Sequence, residues 1–500
     1  MLPTPPIGAS GPVATPPGAP GANSRGPAIV GMAAIVIVAL ALAGVIVAIA
    51  ATTSIREVAA GAVDEGGDPS PRWDPRVEPL AAFVAQTRGR PFKHPVAVEF
   101  LDDEAFRAKI TGSVDEATTE DEKALAVSTA QLRALGLVPA DFDLAAQTEQ
   151  LVGEGTLAFY DSKGETITIR GENLDEMAKV SVVHELTHAW QDQHFDLDRR
   201  DTMDDMKAAT FRTVAEGDAT VVEDRFIDQF TDAESAAYER RSEEISSSVT
   251  EGLADVPDVL RALFASPYAI GRPFVQVLDT DGGNLEIDNA LIDPPSSEVE
   301  LLAPKRFFAN ADPVEVQAPV LGAGQERLDE SDFGALALLV TLAERIDPRQ
   351  ALTAVDGWAG DNSVTYRQDG RNCIAVAAVG VDAPATDRLA DSFRGWVAAG
   401  PTGSASVERT GTVSVLRVCE SADAPRPNDD RATIAVQYAA VRLDVLRQVL
   451  GQPRTTIDQA TCFADYIVAQ ITPEQLSSGV AVSETEARQR GTDAAIACLN

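Results

Sequence analysis

The chain is 500 residues long, has 77 acidic against 41 basic side chains for a formal net charge of −36, and contains four cysteines. That length easily buries a core and exceeds one average domain, so two or more units with tails are expected. The negative charge is spread along the chain; such a surface repels nucleic acid and anionic lipid and excludes a polyanion as partner.

Residues 1–27 are Pro/Gly/Ala-rich and read as a disordered, cytoplasmic leader. Ala28 to Ala51 is an uncharged run of Ala, Val and Ile, long enough at about 1.5 Å per residue to cross a bilayer core of about 30 Å as one transmembrane helix. Arg25 precedes it and an Arg56–Glu57 pair follows, which by the positive-inside rule places the remainder outside the cytoplasm. Secretion after cleavage near Ala48-Ile49-Ala50 is the alternative, disfavoured by the length of the run and the Pro-rich leader.

Residues 52–90 read as a stalk with a short helix from Val77 to Thr87, and Val96 to Leu101 as a strand, with helical periodicity after it to about Leu135. Leu157 to Arg170 reads as a hairpin turning at Asp161-Ser162-Lys163-Gly164. Asn173 is the expected N-cap of a helix from Leu174 to Gln193, with Glu176 completing a capping-box-like pattern; a second helix runs from Lys207 to Phe230. Beyond Gln350 the texture becomes strand, helix, strand (Thr365–Gly380, Ala385–Ala399, Ser406–Cys419), then a polar linker and about 70 helical residues. No internal repeat is evident.

Cys373, Cys419, Cys462 and Cys498 are an even set in a chain expected to face an oxidising compartment, which reads as two disulfides. Three pairings exist. The first two cysteines lie in strand-like runs and the last two in helix-like runs, favouring Cys373 with Cys419 and Cys462 with Cys498. No C-x-x-C spacing supports a Cys₄ metal site.

The chemistry concentrates at His184-Glu185-Leu186-Thr187-His188, which holds two of the four histidines in the chain. On a helix, positions four apart share a face, so two imidazoles so placed can bind one Zn²⁺ while the adjacent glutamate acts as a base on water. Zinc needs a third protein ligand. His194, ten residues after His184, has the metzincin spacing, but Gln191 stands where that pattern needs a glycine. A continued helix carries His194 away from the metal, about 15 Å along the axis. Glu216, in Val214-Ala215-Glu216-Gly217-Asp218-Ala219 on the second helix, is the better candidate, and Glu223 two turns later is the fallback. Gly217 and its neighbouring alanines are expected to let the second helix approach the first closely.

VVHELTHAWQDQHFDL followed by VAEGDAT resembles zincin metallopeptidases of the gluzincin type, especially poorly characterised exported bacterial proteins. The likeness extends loosely to Ser266–Gly271, to Pro294-Pro295-Ser296-Ser297-Glu298 and to Gly357-Trp358-Ala359-Gly360-Asp361, covering about residues 155–400. Pro-Ser-Ser-Glu is a mild departure from the expected Pro-Ser-Thr-Glu. The resemblance implies an α+β zincin fold: a twisted sheet, an active-site helix beneath it and a helical lower half. It carries metal roles to His184, His188 and Glu216 and the catalytic role to Glu185. The metallopeptidase domain is then residues 91–349, followed by an α/β segment at 350–425 and a helical, disulfide-bonded segment at 426–500.

The expected reaction is hydrolysis of a peptide or protein substrate by a membrane-anchored, extracytoplasmic zinc enzyme, with Glu185 as general base. The hairpin ending near Arg170 offers an edge strand for an extended substrate. Tyr268 is a candidate transition-state donor, and Asp192 and Asp218 are candidates for orienting the histidines. His94 reads as structural, and Trp190 and Phe195 as core. The alternative is an inactive zincin-fold envelope protein that binds a partner; the intact glutamate of the motif argues against it.

Overall fold

The computed structural model describes residues 72–112, 119–153, 156–421, 430–478 and 483–499. The expected leader and the transmembrane run at 28–51 lie outside these residues. Among the described residues no helix is long and apolar enough to cross a membrane.

The N-terminal part runs α1 (Glu78–Arg88), β1 (Ala97–Leu101), α2 (Asp103–Gly112), α3 (Thr119–Leu135), α4 (Leu144–Gly153), β2 (Ala158–Asp161) and β3 (Thr166–Arg170). These strands form a three-stranded sheet in the order β1-β3-β2, with β1 parallel and β2 antiparallel to β3. The hairpin thus leaves β2 at the edge. Ile167 and Ile169 of β3 are fully buried.

Next come α5 (Glu176–Phe195), α6 (Asp205–Ile227), α7 (Asp232–Gly252), α8 (Asp258–Gly282) and α9 (Asn284–Ile292). α5 and α6 are buried almost all round, which explains why neither shows one apolar stripe. The expected N-cap Asn173 is displaced by Asp175, whose carboxylate accepts from the Ala178 amide at 2.8 Å and starts the helix at Glu176. Asp204 caps α6 in the same way through the Lys207 amide.

The expected close approach of Gly217 is also redirected: it faces α8, not α5. A Cβ at Gly217 would lie 2.3 Å from the carbonyl of Gly271, and one at Gly271 2.3 Å from the Thr213 oxygen. Two glycines therefore bring the α6 and α8 backbones together.

The second sheet comprises β4 (Glu326–Ser331), β5 (Trp358–Gln368), β6 (Arg371–Gly380), β7 (Ala405–Thr410) and β8 (Val413–Cys419), ordered β4-β5-β6-β8-β7. α10 (Ala335–Ala343) and α11 (Pro348–Asp356) precede β5, and α12 (Ala383–Ala398) joins β6 to β7. The runs read as single strands at Thr365–Gly380 and Ser406–Cys419 are each interrupted by a tight turn. Asp369 and Gly370 have φ of 50° and 75°, and Gly411 has φ of 62°, the left-handed geometry that two-residue hairpins require.

α13 (Arg431–Leu450), α14 (Ile457–Val468) and α15 (Glu484–Cys498) complete the helical C-terminal part. Both disulfides pair like with like: Cys373–Cys419 links directly opposed residues of β6 and β8, and Cys462–Cys498 joins α14 to α15. They favour an oxidising, extracytoplasmic compartment. The architecture is α+β, and one buried apolar cluster extends from Val77 to Val468, with Ala435, Tyr438 and Leu443 of α13 inside it.

Candidate metal centre

His184 and His188 lie one turn apart on α5, so their rings meet on the face turned toward α6. Their Nε2 atoms are 2.9 Å apart. Glu216 of α6 brings its Oε2 to 3.2 Å from His184 Nε2 and 3.3 Å from His188 Nε2. His184 and Glu216 are buried.

The outer ring nitrogens fix what the inner ones present. His188 Nδ1 lies 2.9 Å from Gln191 Oε1, and Gln191 donates its Nε2 to the Ala215 carbonyl and to Asp218 Oδ2. With its amide group spent as donor, Gln191 can only accept from His188, so Nδ1 carries the proton and Nε2 is left with a lone pair. His184 Nδ1 lies 3.3 Å from Glu223 Oε1, which favours the same tautomer. Two imidazole lone pairs and a carboxylate oxygen thus point at one small volume, an arrangement that a cation among them would satisfy. A tetrahedral shell with zinc bonds of about 2.0–2.1 Å has edges of about 3.3 Å, close to all three separations. These three residues fit a metal ion.

Without a bound ion a proton would supply that positive charge instead. Burial would lower the His184 pKa, yet Glu223 and Glu216 hold it well above the ordinary value. Burial would raise Glu216, yet His188 and His184 hold it well below the usual carboxylate range. Glu185 has no such dominant partner: burial pushes its carboxyl up to about 7 against the pull of the two histidines. Its Oε2 accepts from the Tyr160 amide of β2 at 2.9 Å, while its Oε1 is buried with no hydrogen-bond partner among the described residues. A carboxylate with one oxygen tied down and the other free is oriented to take a proton from a water or substrate.

The centre borders a cavity of about 170 Å³ whose wall includes Phe159 and Tyr160 of the sheet edge, Glu185, His188, Arg200 and Arg212. Asp196, with φ of 59°, turns the chain out of α5 and leads it back past the cavity, bringing Arg200 to its rim. Arg212 sits one turn before Glu216, with its Nε 3.8 Å from Glu216 Oε1.

The remaining sequence candidates fall as follows. His194 stays on α5, with its Nε2 3.0 Å from the Pro91 carbonyl and away from the metal group. His94 sits near Gln193 and Glu165. Glu223, the fallback ligand, stands behind His184 at its outer nitrogen. Asp192 does not reach a histidine; it accepts from the Tyr160 hydroxyl at 2.8 Å and the Leu197 amide at 2.9 Å, fastening sheet edge to helix end. Asp218, fully buried, acts on His188 only through Gln191 and lies 3.3 Å from Arg88 Nη1. Tyr268 is packed with Leu151, Val249 and Phe264, its ring 6.3 Å from that of His184 and its buried hydroxyl turned toward Glu216. It is not part of the cavity wall, where Arg200 and Arg212 are the charged donors.

Sequence reading missed Gln191, although residues three apart on a helix are neighbours and Gln191 follows His188 by that spacing. A Gln191→Met substitution, which keeps the volume and removes the acceptor, is expected to weaken metal binding by about 10- to 100-fold. Competition with a chromophoric chelator measures this; wild-type affinity would show that His188 needs no such partner.

Comparisons of the chain with family models, with curated proteins and with solved structures find no match.

Proposed function

We propose that the protein is a zinc metallopeptidase of the gluzincin type, with His184, His188 and Glu216 as ligands and Glu185 as general base. The observation that carries this reading is the convergence of two imidazoles and a carboxylate beside a buried glutamate with a free oxygen, all at a cavity bordered by a sheet edge. The three-stranded sheet lying over α5 is consistent with a zincin-like arrangement.

A zinc ion held by this set supplies Lewis acidity toward water and toward a carbonyl group. Glu185 Oε1 takes the proton from the attacking water and passes it to the leaving amine, so the base is regenerated with each peptide bond broken. Tyr160 keeps Glu185 in place through its amide. Arg200 and Arg212 put positive charge where an oxyanion develops. Outside the Tyr160 amide, which Glu185 engages, β2 offers an extended substrate an edge to pair with, and the disulfides fit a site working outside the cytoplasm, on a chain anchored by its apolar run at 28–51.

Metal analysis and peptide cleavage by the full chain test the reading. Wild type is expected to hold one zinc and to lose activity on chelation, with recovery when zinc is restored; Glu216→Ala is expected to lose the metal. Full zinc occupancy in Glu216→Ala would remove it from the ligand set, and a zinc-loaded wild type that cleaves no member of a broad peptide library would favour a binding protein.

A further inference from the structure

A buried positive charge stands behind the metal centre. Arg88, the last residue of α1, has a side chain with no solvent exposure, and its Nε has no hydrogen-bond partner among the described residues. Burying a charge is costly unless other groups pair with it. Here those groups come from helices distant in sequence. Arg88 Nη1 lies 3.3 Å from Asp218 Oδ1 of α6 and donates to Asn284 Oδ1 of α9 at 2.7 Å, while Nη2 donates to Asp288 Oδ1 of α9 at 2.5 Å. Its Cζ lies 4.7 Å from the centre of the Trp190 ring on α5.

The backbone after Arg88 holds it there. Gly89 ends α1 with φ of 73°, and residues 90–94 then run along α5 as a strap. The Arg90 carbonyl accepts from Trp190 Nε1 at 3.0 Å, and the His94 carbonyl accepts from Gln193 Nε2 at 2.9 Å. The Lys93 amide donates to Gln193 Oε1 at 2.7 Å. The strap fastens the end of α1 to the helix that carries both histidines, and Arg88 extends that attachment to α6.

Asp218 is where the attachment meets the metal group. Its Oδ2 accepts from Gln191 Nε2 at 2.8 Å, and Gln191 Oε1 lies 2.9 Å from His188 Nδ1. Its Oδ1 has no hydrogen bond among the described residues and faces Arg88. Held by the amide alone, this carboxylate could turn about its Cβ–Cγ bond, a torsion with broad wells. A guanidinium beside Oδ1, where the dielectric is low, restrains that turn. Arg88, Asp218, Gln191 and His188 thus form a series in which each member aims the next.

We propose that Arg88 is a positioning residue for the metal centre: it fixes the Asp218 carboxylate, which aims Gln191, which in turn orients the His188 ring as a ligand. The inference rests on the metal centre and not on the peptidase reading, so zinc binding alone reads it. It also ties the helix that opens the described part of the chain to a ligand on α5.

The test is a double-mutant cycle on the metal-stripped full chain, with zinc affinity measured by competition with a chromophoric chelator. Arg88→Met is expected to weaken zinc binding by about 10-fold, the lower end for residues that orient a ligand. In a Gln191→Met background the same substitution is expected to change affinity by less than about 2-fold, because the group it acts through is gone. Thermal unfolding of the metal-free chains separates lost packing from lost positioning: the fall in midpoint caused by Arg88→Met is expected to be alike in both backgrounds. Asp288→Asn removes an outer partner of Arg88 and serves in the same cycle if Arg88→Met does not fold, with an expected weakening of about 3-fold. Unchanged affinity in Arg88→Met, wild-type affinity in Gln191→Met, or equal weakening in both backgrounds overturns the positioning role. A wild type that binds no zinc overturns the metal centre as well, so the two failures are distinguishable.

Discussion

Glu185→Gln is expected to retain one zinc per chain and to lower kcat for peptide cleavage by about 10²- to 10⁴-fold, the usual contribution of a positioned general base. Glutamine has the same shape, and its carbonyl oxygen can still accept from the Tyr160 amide, so the side chain stays where Glu185 is. What it loses is the ability to take a proton on the free oxygen. The three ligand atoms come from other residues, and metal content is therefore expected to hold. Cleavage kinetics and metal analysis on one preparation separate the two effects. Retention of more than about a tenth of kcat would place the base elsewhere.

Gly217→Val is expected to be the most damaging change outside the metal ligands. Its first side-chain atom would lie 2.3 Å from the carbonyl carbon and oxygen of Gly271. That obstacle is backbone in the middle of a helix, so relief requires α6 and α8 to move apart. Overpacking of this kind costs about 1–3 kcal/mol and sometimes more. Because Glu216 is the preceding residue, displacing α6 also pulls a ligand oxygen from the histidines. Thermal unfolding of the metal-loaded chain, followed with metal content, is expected to show a lower midpoint and weaker metal retention together. A variant with wild-type stability would mean that the helices separate without cost.

The candidate metal centre was legible because its parts obey local rules. Two histidines four apart on a helix must share a face, and a helix that does not turn at Gln191 carries His194 off that face. Glu216 could be named from the next helix, but the partner of Gly217 could not, since helical spacing says which side is small and not which neighbour it meets. Gln191 was hidden by its ordinary role as a helix former; its function lies in which ring nitrogen it leaves bare. Arg200 reaches the cavity only because the chain reverses at Asp196, a turn that its polar surroundings do not announce.

The second sheet was half legible for similar reasons. The β-rich texture and the like-with-like cysteine pairing were visible in composition. The Asp369-Gly370 turn was passed over although Asp-Gly between Arg367-Gln368 and Arg371-Asn372 is itself a hairpin signal. β4 was missed altogether: Glu326-Arg327-Leu328-Asp329-Glu330-Ser331 is mostly polar and lies at the sheet edge, where no buried face imposes alternation.

The hydrogen bond from the Tyr160 amide to Glu185 has a consequence for solubility. β2 is an edge strand carrying Phe159 and Tyr160, and an unpaired apolar edge is a template on which other copies of a chain can stack. Its Tyr160 amide is already engaged by a carboxylate of the same molecule. A foreign strand could gain that rung only by displacing a negatively charged acceptor buried beneath it. The group that prepares Glu185 for chemistry therefore also keeps this edge from nucleating aggregation.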